Sequence, residues 1–111
     1  MAGGLMVKKR INAGRIGDVG ELTASAWLLR EGYEVFRNVS SVGPIDIVVI
    51  KDGKITLVDV TTAQFLKGGQ MILATHKERN AKKIGAVVLY ITREGSCVWS
   101  PAENGHSVDA E

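Results

Sequence analysis

The sequence predicts a single α/β domain in which helices cover a mixed β-sheet. Three observations lead to this prediction: a helical repeat of apolar residues near the N-terminus, a tight hairpin in the middle, and a helix followed by a continuous apolar strand. The length of 111 residues is ordinary for one domain, and 45% hydrophobic residues suffice for one core. An antiparallel hairpin that leads into a helix and then a buried strand gives a mixed sheet with helices on its faces.

The first predicted helix follows a basic segment without periodicity. We expect residues 1–15 to be a flexible arm, residues 16–100 to fold, and residues 101–111 to be a polar tail. Asp18 is a candidate N-cap, and Gly32 is placed to end the helix. Apolar residues recur between them at spacings of three and four: Val19, Leu22, Ala26 and Leu29. Residues 33–37 alternate in polarity and are predicted to form the first strand.

Two β-branched runs then flank Asp52-Gly53. An Asp-Gly pair between such runs is the strongest short-range signal for a two-residue type I′ hairpin. We predict strands over residues 45–51 and 54–62, with Ile50 opposite Ile55.

Counted from this turn, Asp46 lies opposite Asp59. Cross-strand partners share a face, with Cβ atoms roughly 5 Å apart, and two like charges at that distance are costly in an apolar strand pair. A divalent cation between them would turn the repulsion into binding, because Mg²⁺ and Mn²⁺ prefer carboxylate oxygens. The alternative is that Asp46 serves as a turn residue after Pro44 and that Asp59 bonds to backbone.

The second half of the chain predicts a helix and two strands. Residues 63–74 receive no assignment. Thr75 and Glu78 form a capping box for a helix over residues 76–84, which Gly85 ends. Residues 86–92 predict a strand that is buried on both faces, and residues 97–100 predict a last short strand.

Composition narrows the class of protein. No apolar run approaches the roughly 20 residues of a membrane span. Cys97 is the single cysteine, which excludes an internal disulfide and favours a reducing compartment, the cytoplasm, or the host cytoplasm if a phage encodes the chain. Its apolar neighbours favour a small packed residue over a nucleophile.

Basic residues cluster although the net charge is only +2. Such clusters suit a phosphate backbone, and solvated helix faces of the same composition are the alternative. The candidate DNA-binding residues are Lys8, Lys9, Arg10, Arg15, Lys77, Arg79, Lys82 and Lys83.

Three short motifs resemble the PD-(D/E)XK nuclease superfamily: Gly20-Glu21 on the first helix, the sequence Gly-Pro-Ile-Asp at residues 43–46, and Asp-Val-Thr at residues 59–61. The αβββαβ core of that superfamily is also the order of elements predicted here. The resemblance spans residues 16–92 and is closest in kind to archaeal-type Holliday-junction resolvases and related phage or restriction-like endonucleases. It implies a restriction-endonuclease-like fold and a metal-dependent endodeoxyribonuclease.

The resemblance assigns roles to individual residues. Asp46 and Asp59 would be ligands of Mg²⁺ or Mn²⁺, with the Val60 carbonyl as a further ligand. Glu21 would hold the metal directly or through water. Thr61 stands where the motif has a lysine, and a hydroxyl cannot supply that positive charge.

Three explanations of the missing lysine are open. In the first, Lys67 or Lys77 reaches the site from elsewhere. In the second, the metal-bound water reacts without a lysine, with Thr61 or Gln64 orienting it. In the third, the protein only binds nucleic acid.

Three further residues are expected to have structural rather than functional roles. His76, at a predicted helix start, is expected to be solvent-exposed rather than a phosphate or metal contact. Trp27 and Trp99 are expected in the core or in a subunit contact rather than as base-stacking platforms.

The resemblance implies branched DNA, such as a four-way junction, as the substrate. A restriction-like or homing-type duplex endonuclease is an alternative, although no extra domain is present to read bases; a non-catalytic nucleic-acid-binding protein is another. Cutting paired strands symmetrically needs two active sites, so we expect a homodimer.

Overall fold

A five-stranded mixed sheet forms the centre of the fold. The computed structural model describes residues 13–40 and 43–101. Its elements are α1 (Ala13–Arg30), β1 (Glu34–Arg37), β2 (Ile47–Lys51), β3 (Lys54–Thr62), β4 (Gln64–Phe65), β5 (Met71–Ile72), α2 (Thr75–Ile84), β6 (Ala86–Ile91) and β7 (Cys97–Trp99). The strand order is β1-β2-β3-β6-β7, with β3 and β6 parallel and the other neighbours antiparallel. The predicted α/β class and the αβββαβ order, which is compatible with a restriction-endonuclease-like fold, are confirmed.

The central hairpin has the predicted register as far as Ile47 opposite Val58, where the ladder ends. Asp46 lies just before β2 and is not paired with Asp59 in the ladder, because its N–H donates to the Val58 carbonyl at 3.1 Å. Ile50 pairs with Ile55, and Lys51 pairs with Lys54. Asp52 has φ 53° and Gly53 has φ 79°, so both turn residues adopt the left-handed conformation that a type I′ turn requires. The turn therefore fixes which residues of β2 and β3 face each other.

Helix α1 buries a different face from the predicted one. Ala24 and Leu28 are fully buried, whereas three residues of the predicted apolar stripe are exposed: Val19, Leu22 and Leu29. Besides the predicted stripe, the helix carries a second row through Gly20, Ala24 and Leu28, and this second row packs against the sheet. A Cβ on Gly20 would lie 3.3 Å from the Cδ1 atom of Ile91, which shows how close this approach is.

The predicted start of α1 was also wrong. Asp18 lies within the helix rather than at its N-cap, and residues 13–15, assigned above to the flexible arm, are helical. The rest of the predicted arm, residues 1–12, and the tail from residue 102 lie outside the described residues.

Helix α2 begins without the predicted capping box. Ala74 takes the N-cap position and no side chain caps the helix. Glu78 is instead turned toward the sheet, where its Oε2 atom accepts a hydrogen bond from the buried hydroxyl of Tyr90. That hydroxyl also accepts a hydrogen bond from the Ala74 N–H at 3.0 Å. Gly85 ends the helix in the left-handed conformation, as predicted.

The core has one layer on each face of the sheet. Every residue of β6 is buried, which confirms the prediction of a strand covered on both faces. Trp27 and Trp99 pack against the layer under α1, with ring centroids 6.4 Å apart in an edge-to-face arrangement. Cys97 is buried in the same layer, and burial raises the pKa of its thiol to about 11, which suits a packing residue.

The segment that received no assignment forms a small second sheet. Strands β4 and β5 pair antiparallel, with Phe65 opposite Met71. Neither helix in the described ranges is long and apolar enough to cross a membrane.

Candidate active site

The carboxylates of Asp46 and Asp59 meet beside the end of β3. Continuing the β2–β3 register would pair the Val60 N–H with the Ile45 carbonyl. The Val60 N–H instead donates to the Oδ2 atom of Asp46 at 2.8 Å, and the Asn38 side chain donates to the Ile45 carbonyl at 2.9 Å. The Asp46 carboxylate thus replaces a backbone acceptor and is held against β3.

Asp59 is perturbed by this neighbour. Burial first, and then the side-chain hydrogen bond and the charge of Asp46, raise the pKa of Asp59 from 3.8 to about 6, while Lys77 opposes the shift. The two carboxylates therefore lie within hydrogen-bond reach of each other, and the charge of Asp46 disfavours a charge on Asp59. A pair of acids held this close is suited to bind a cation.

Lys77 supplies the positive charge nearest to these acids in the described part of the chain. Its Nζ atom lies 3.3 Å from the Oδ1 atom of Asp59 and 3.4 Å from the carbonyl oxygen of Val60. Lys67, the other lysine considered above, is exposed in the turn between β4 and β5. The structure therefore brings Lys77 to the carboxylates from the first turn of α2 and leaves Lys67 on the surface.

Two open cavities adjoin this group of residues. One, of about 280 Å³, is lined by Glu21, Asp46, Val60, Thr61 and Lys77, among others, so Thr61 shares this cavity with Glu21 and Asp46. The other cavity, of about 450 Å³, lies on the α2 side and is lined by Asp46, Asp59, His76, Lys77 and Asn80, among others. His76 is exposed, as expected, although it borders the same cavity as the acids.

Glu21 does not join the two aspartates in one cluster. Its Oε1 atom accepts a hydrogen bond from the Nη2 atom of Arg37 at 3.1 Å. Within residues 13–40 and 43–101, no three acidic, imidazole or thiol side chains converge on one point as metal ligands. Glu21 is paired with a guanidinium in this arrangement, and its role as a metal ligand, directly or through water, stays a prediction.

The remaining donors fit a hard divalent cation. Two carboxylates and the Val60 carbonyl offer only oxygen atoms, and Mg²⁺ is commonly held by one or two carboxylates together with water and substrate phosphate. The mutual repulsion of Asp46 and Asp59 is the feature that a cation would relieve.

The basic residues are divided between the site and the surface. Lys77 faces the acids, whereas the other candidate DNA-binding residues within the described ranges are exposed: Arg15, Arg79, Lys82 and Lys83. Lys83 also borders the cavity that contains Asp59. Lys8, Lys9 and Arg10 lie outside the described residues.

Sequence reasoning missed Arg37, Asn38 and the pair formed by Tyr90 and Glu78. Arg37 reaches Glu21 across 16 positions of sequence, and no spacing rule connects a strand end with a helix at that separation. Glu78 carried a signal, but the capping-box pattern explained it wrongly. A polar residue in an otherwise apolar strand, Tyr90, could have indicated a buried partner.

No family model matches the chain. The chain is 36% identical over 77 residues to a UPF0102 protein of Roseiflexus castenholzii, a match that covers 68% of this chain and 60% of the relative. It is 28% identical over 85 residues to a UPF0102 protein of Caldanaerobacter subterraneus subsp. tengcongensis, covering 73% of this chain and 70% of that protein. Its relatives are UPF0102 proteins. The match spans only 60% of the length of the first relative.

Proposed function

We propose that the chain is a metal-dependent endodeoxyribonuclease of the PD-(D/E)XK superfamily that hydrolyses phosphodiester bonds in branched DNA. The observation that carries the proposal is the position of Lys77, whose ammonium lies 3.3 Å from Asp59 and 3.4 Å from the Val60 carbonyl. The motif position of the superfamily's lysine is Thr61, and Lys77 supplies the missing positive charge from a different element.

Fold and relatives support the coarser part of this proposal. The sheet has the αβββαβ order of the superfamily's core. The UPF0102 proteins to which the chain is similar are a family of the PD-(D/E)XK nuclease-like superfamily. Their name specifies no activity, so the reaction is inferred from the residues of the site.

Each residue has a distinct task in the proposed reaction. Asp46, Asp59 and the Val60 carbonyl would hold Mg²⁺ or Mn²⁺. The bound ion would activate water and neutralise charge on the phosphate. Lys77 would orient the attacking water or the phosphate beside Asp59, and the Thr61 hydroxyl would hydrogen-bond water in the same cavity.

The exposed basic residues would bind the DNA backbone. Arg79, Lys82 and Lys83 lie on the exposed side of α2, the helix that also carries Lys77. Contacts to phosphates fix position without reading sequence. A homodimer would bring two such sites to two strands, and the free thiol of Cys97 suits action in the reducing cytoplasm.

The decisive assay compares a labelled four-way junction, a linear duplex and a single strand, each with Mg²⁺, Mn²⁺ or EDTA. We expect cleavage of the junction that requires metal and is abolished by Asp46→Asn. Preferred cutting of the duplex would favour a restriction-like enzyme. A wild-type protein that binds junctions but cleaves none of the substrates with either metal would favour a binding-only relative. Unchanged cleavage by Asp46→Asn would exclude this site.

A further inference from the structure

The β4–β5 hairpin, which connects β3 to α2, exposes apolar side chains. Phe65 is 49% exposed and Leu66 is 53% exposed, so two consecutive large apolar residues face solvent. Its turn is ordered by two backbone bonds, from the Leu66 N–H to the Gln70 carbonyl and from the Gly69 N–H to the Leu66 carbonyl. Lys67 is exposed within this turn.

The base of the hairpin is anchored in the core. Met71 and Leu73 pack against the layer that contains Ala81 and Tyr90. A two-stranded hairpin is marginally stable by itself, so this anchor is what holds the tip in place. The strand opposite Phe65 is therefore held against the core, while Phe65 itself stays half exposed.

Both ends of the hairpin connect to residues of the site. It leaves β3 just after Thr62, which lines the same cavity as Glu21 and Asp46. It returns directly into α2, where Lys77 contacts Asp59. A nucleic acid positioned for cleavage at Asp59 would thus lie next to the base of the hairpin.

The chemistry of this segment suits DNA. Residues 63–77 contain two lysines and no acidic residue. An aromatic ring and an apolar side chain can contact the face of any base, and exposed apolar side chains act as wedges at unstacked base steps. Unstacking costs least where bases are already unpaired, as at a branch point.

We propose that the β4–β5 hairpin, through Phe65 and Leu66, contacts unstacked bases at a branch point and thereby selects branched DNA over intact duplex. This inference rests on the proposed function, since it places the branch next to the candidate cleavage site. Phosphate contacts on α2 supply affinity for any DNA, and the hairpin supplies the preference for structure.

The test measures binding, so that it does not depend on cleavage. The affinity of wild type and of Phe65→Ala/Leu66→Ala for a labelled four-way junction and a linear duplex is measured in EDTA, with 2-aminopurine at the branch reporting base stacking. We expect the double variant to lose about tenfold in junction affinity, in line with the measured worth of base–aromatic stacking, and to retain its duplex affinity.

Two further variants control the result. Ile55→Ala removes an apolar side chain that is 66% exposed near the turn between β2 and β3, and it should change neither affinity. Phe65→Trp keeps an aromatic face and should keep the junction preference and the 2-aminopurine signal. Thermal unfolding of each variant shows whether the fold is intact.

The outcomes separate the two proposals. If the ratio of junction to duplex affinity is the same in the double variant as in wild type, the hairpin inference is overturned. If the double variant changes its oligomeric state while that ratio stays the same, the hairpin is a contact between copies of the chain, and the inference is again overturned. A wild-type protein that cleaves nothing but prefers junctions through Phe65 would refute the nuclease and retain the hairpin inference. Absence of DNA binding in any form would refute both.

Discussion

The ammonium of Lys77 contacts the carboxylate of Asp59 at 3.3 Å, although the two residues are 18 positions apart. One lies in the first turn of α2 and the other in β3, so tertiary packing alone brings them together. In this position the Lys77 ammonium lies beside any metal ion, water or phosphate that would bind at Asp59. A lysine at the Thr61 position would come from the same strand as Asp59.

The first prediction concerns this lysine. Lys77→Ala should slow cleavage by roughly 10²–10⁴-fold, the range typical of a lost proton-transfer group, while DNA affinity changes little. Single-turnover cleavage and binding titrations measure the two effects separately. Lys67→Ala removes the other lysine considered above and should slow the single-turnover cleavage step less than Lys77→Ala does.

Thr61→Lys provides the complementary test. In the Lys77→Ala background it should restore part of the rate, since it returns the charge to the strand position of the superfamily motif. Full activity of Lys77→Ala would show that metal activation suffices without a lysine.

The second prediction concerns pH and the stability of the metal-free protein. The pKa of Asp59 is raised from 3.8 to about 6, so the folded state binds this proton more tightly than the unfolded state. The associated stability is full below pH 3.8 and is lost as the pH rises through about 6. Melting temperatures in EDTA should therefore fall across this window more steeply for wild type than for Asp59→Asn.

Metal should reverse this loss. Mg²⁺ at neutral pH is expected to raise the melting temperature of wild type, because a ligand that binds only the folded state stabilises it. The same addition of Mg²⁺ should raise the melting temperature of Asp59→Asn much less. Equal pH slopes for the two proteins would mean that the acid pair is not the source of the instability.

The third prediction concerns the outer face of α2. Lys82→Ala/Lys83→Ala should weaken DNA binding about equally for all sequences and should flatten its salt dependence by about one unit of slope per lost phosphate contact. Titrations at several salt concentrations measure this slope. If affinity and slope both stay constant, the DNA surface lies elsewhere and these lysines are merely solvated.

The fourth prediction concerns Tyr90 and Glu78. Tyr90→Phe removes the donor to Glu78 and the acceptor for the Ala74 N–H, which should cost about 1–3 kcal/mol of unfolding free energy for each group left buried without a partner. Denaturant titration gives this value. Within the part of the chain that the structure describes, the Oε1 atom of Glu78 is buried without a hydrogen-bond partner, so no second hydrogen bond there compensates the carboxylate.

A second substitution distinguishes a lost hydrogen bond from lost packing. Adding Glu78→Leu to Tyr90→Phe should recover part of the stability, since the unpartnered carboxylate is then gone. A double variant that is less stable than Tyr90→Phe would show that Glu78 stabilises α2 by another contact.

The sequence was sufficient where local chemistry decides the structure. Asp52-Gly53 determines the hairpin register because only a few turn types join two twisted strands, and that register holds as far as Ile47 opposite Val58, one residue short of the two acids. The buried strand β6 was equally readable, since its residues are apolar without alternation.

The sequence failed where two local solutions compete or where contacts are distant. Helix α1 offers one apolar row through Val19 and Leu22 and another through Ala24 and Leu28, and only packing against the sheet selects the second. Thr75 and Glu78 match a capping box, but Tyr90 provides a stronger partner for the carboxylate. The choice between Lys67 and Lys77 depends on where the crossover places α2, which no local pattern specifies.

The parallel pairing of β3 with β6 has a consequence for the order of folding. The two acids belong to a local hairpin, whereas Lys77 lies in the long crossover that must close before Leu57 and Ala86 can pair. Such non-local pairing is the slow part of folding. The lysine therefore reaches the acids only when the crossover closes, so a chain that has folded only its hairpin carries the acids without the ammonium beside them.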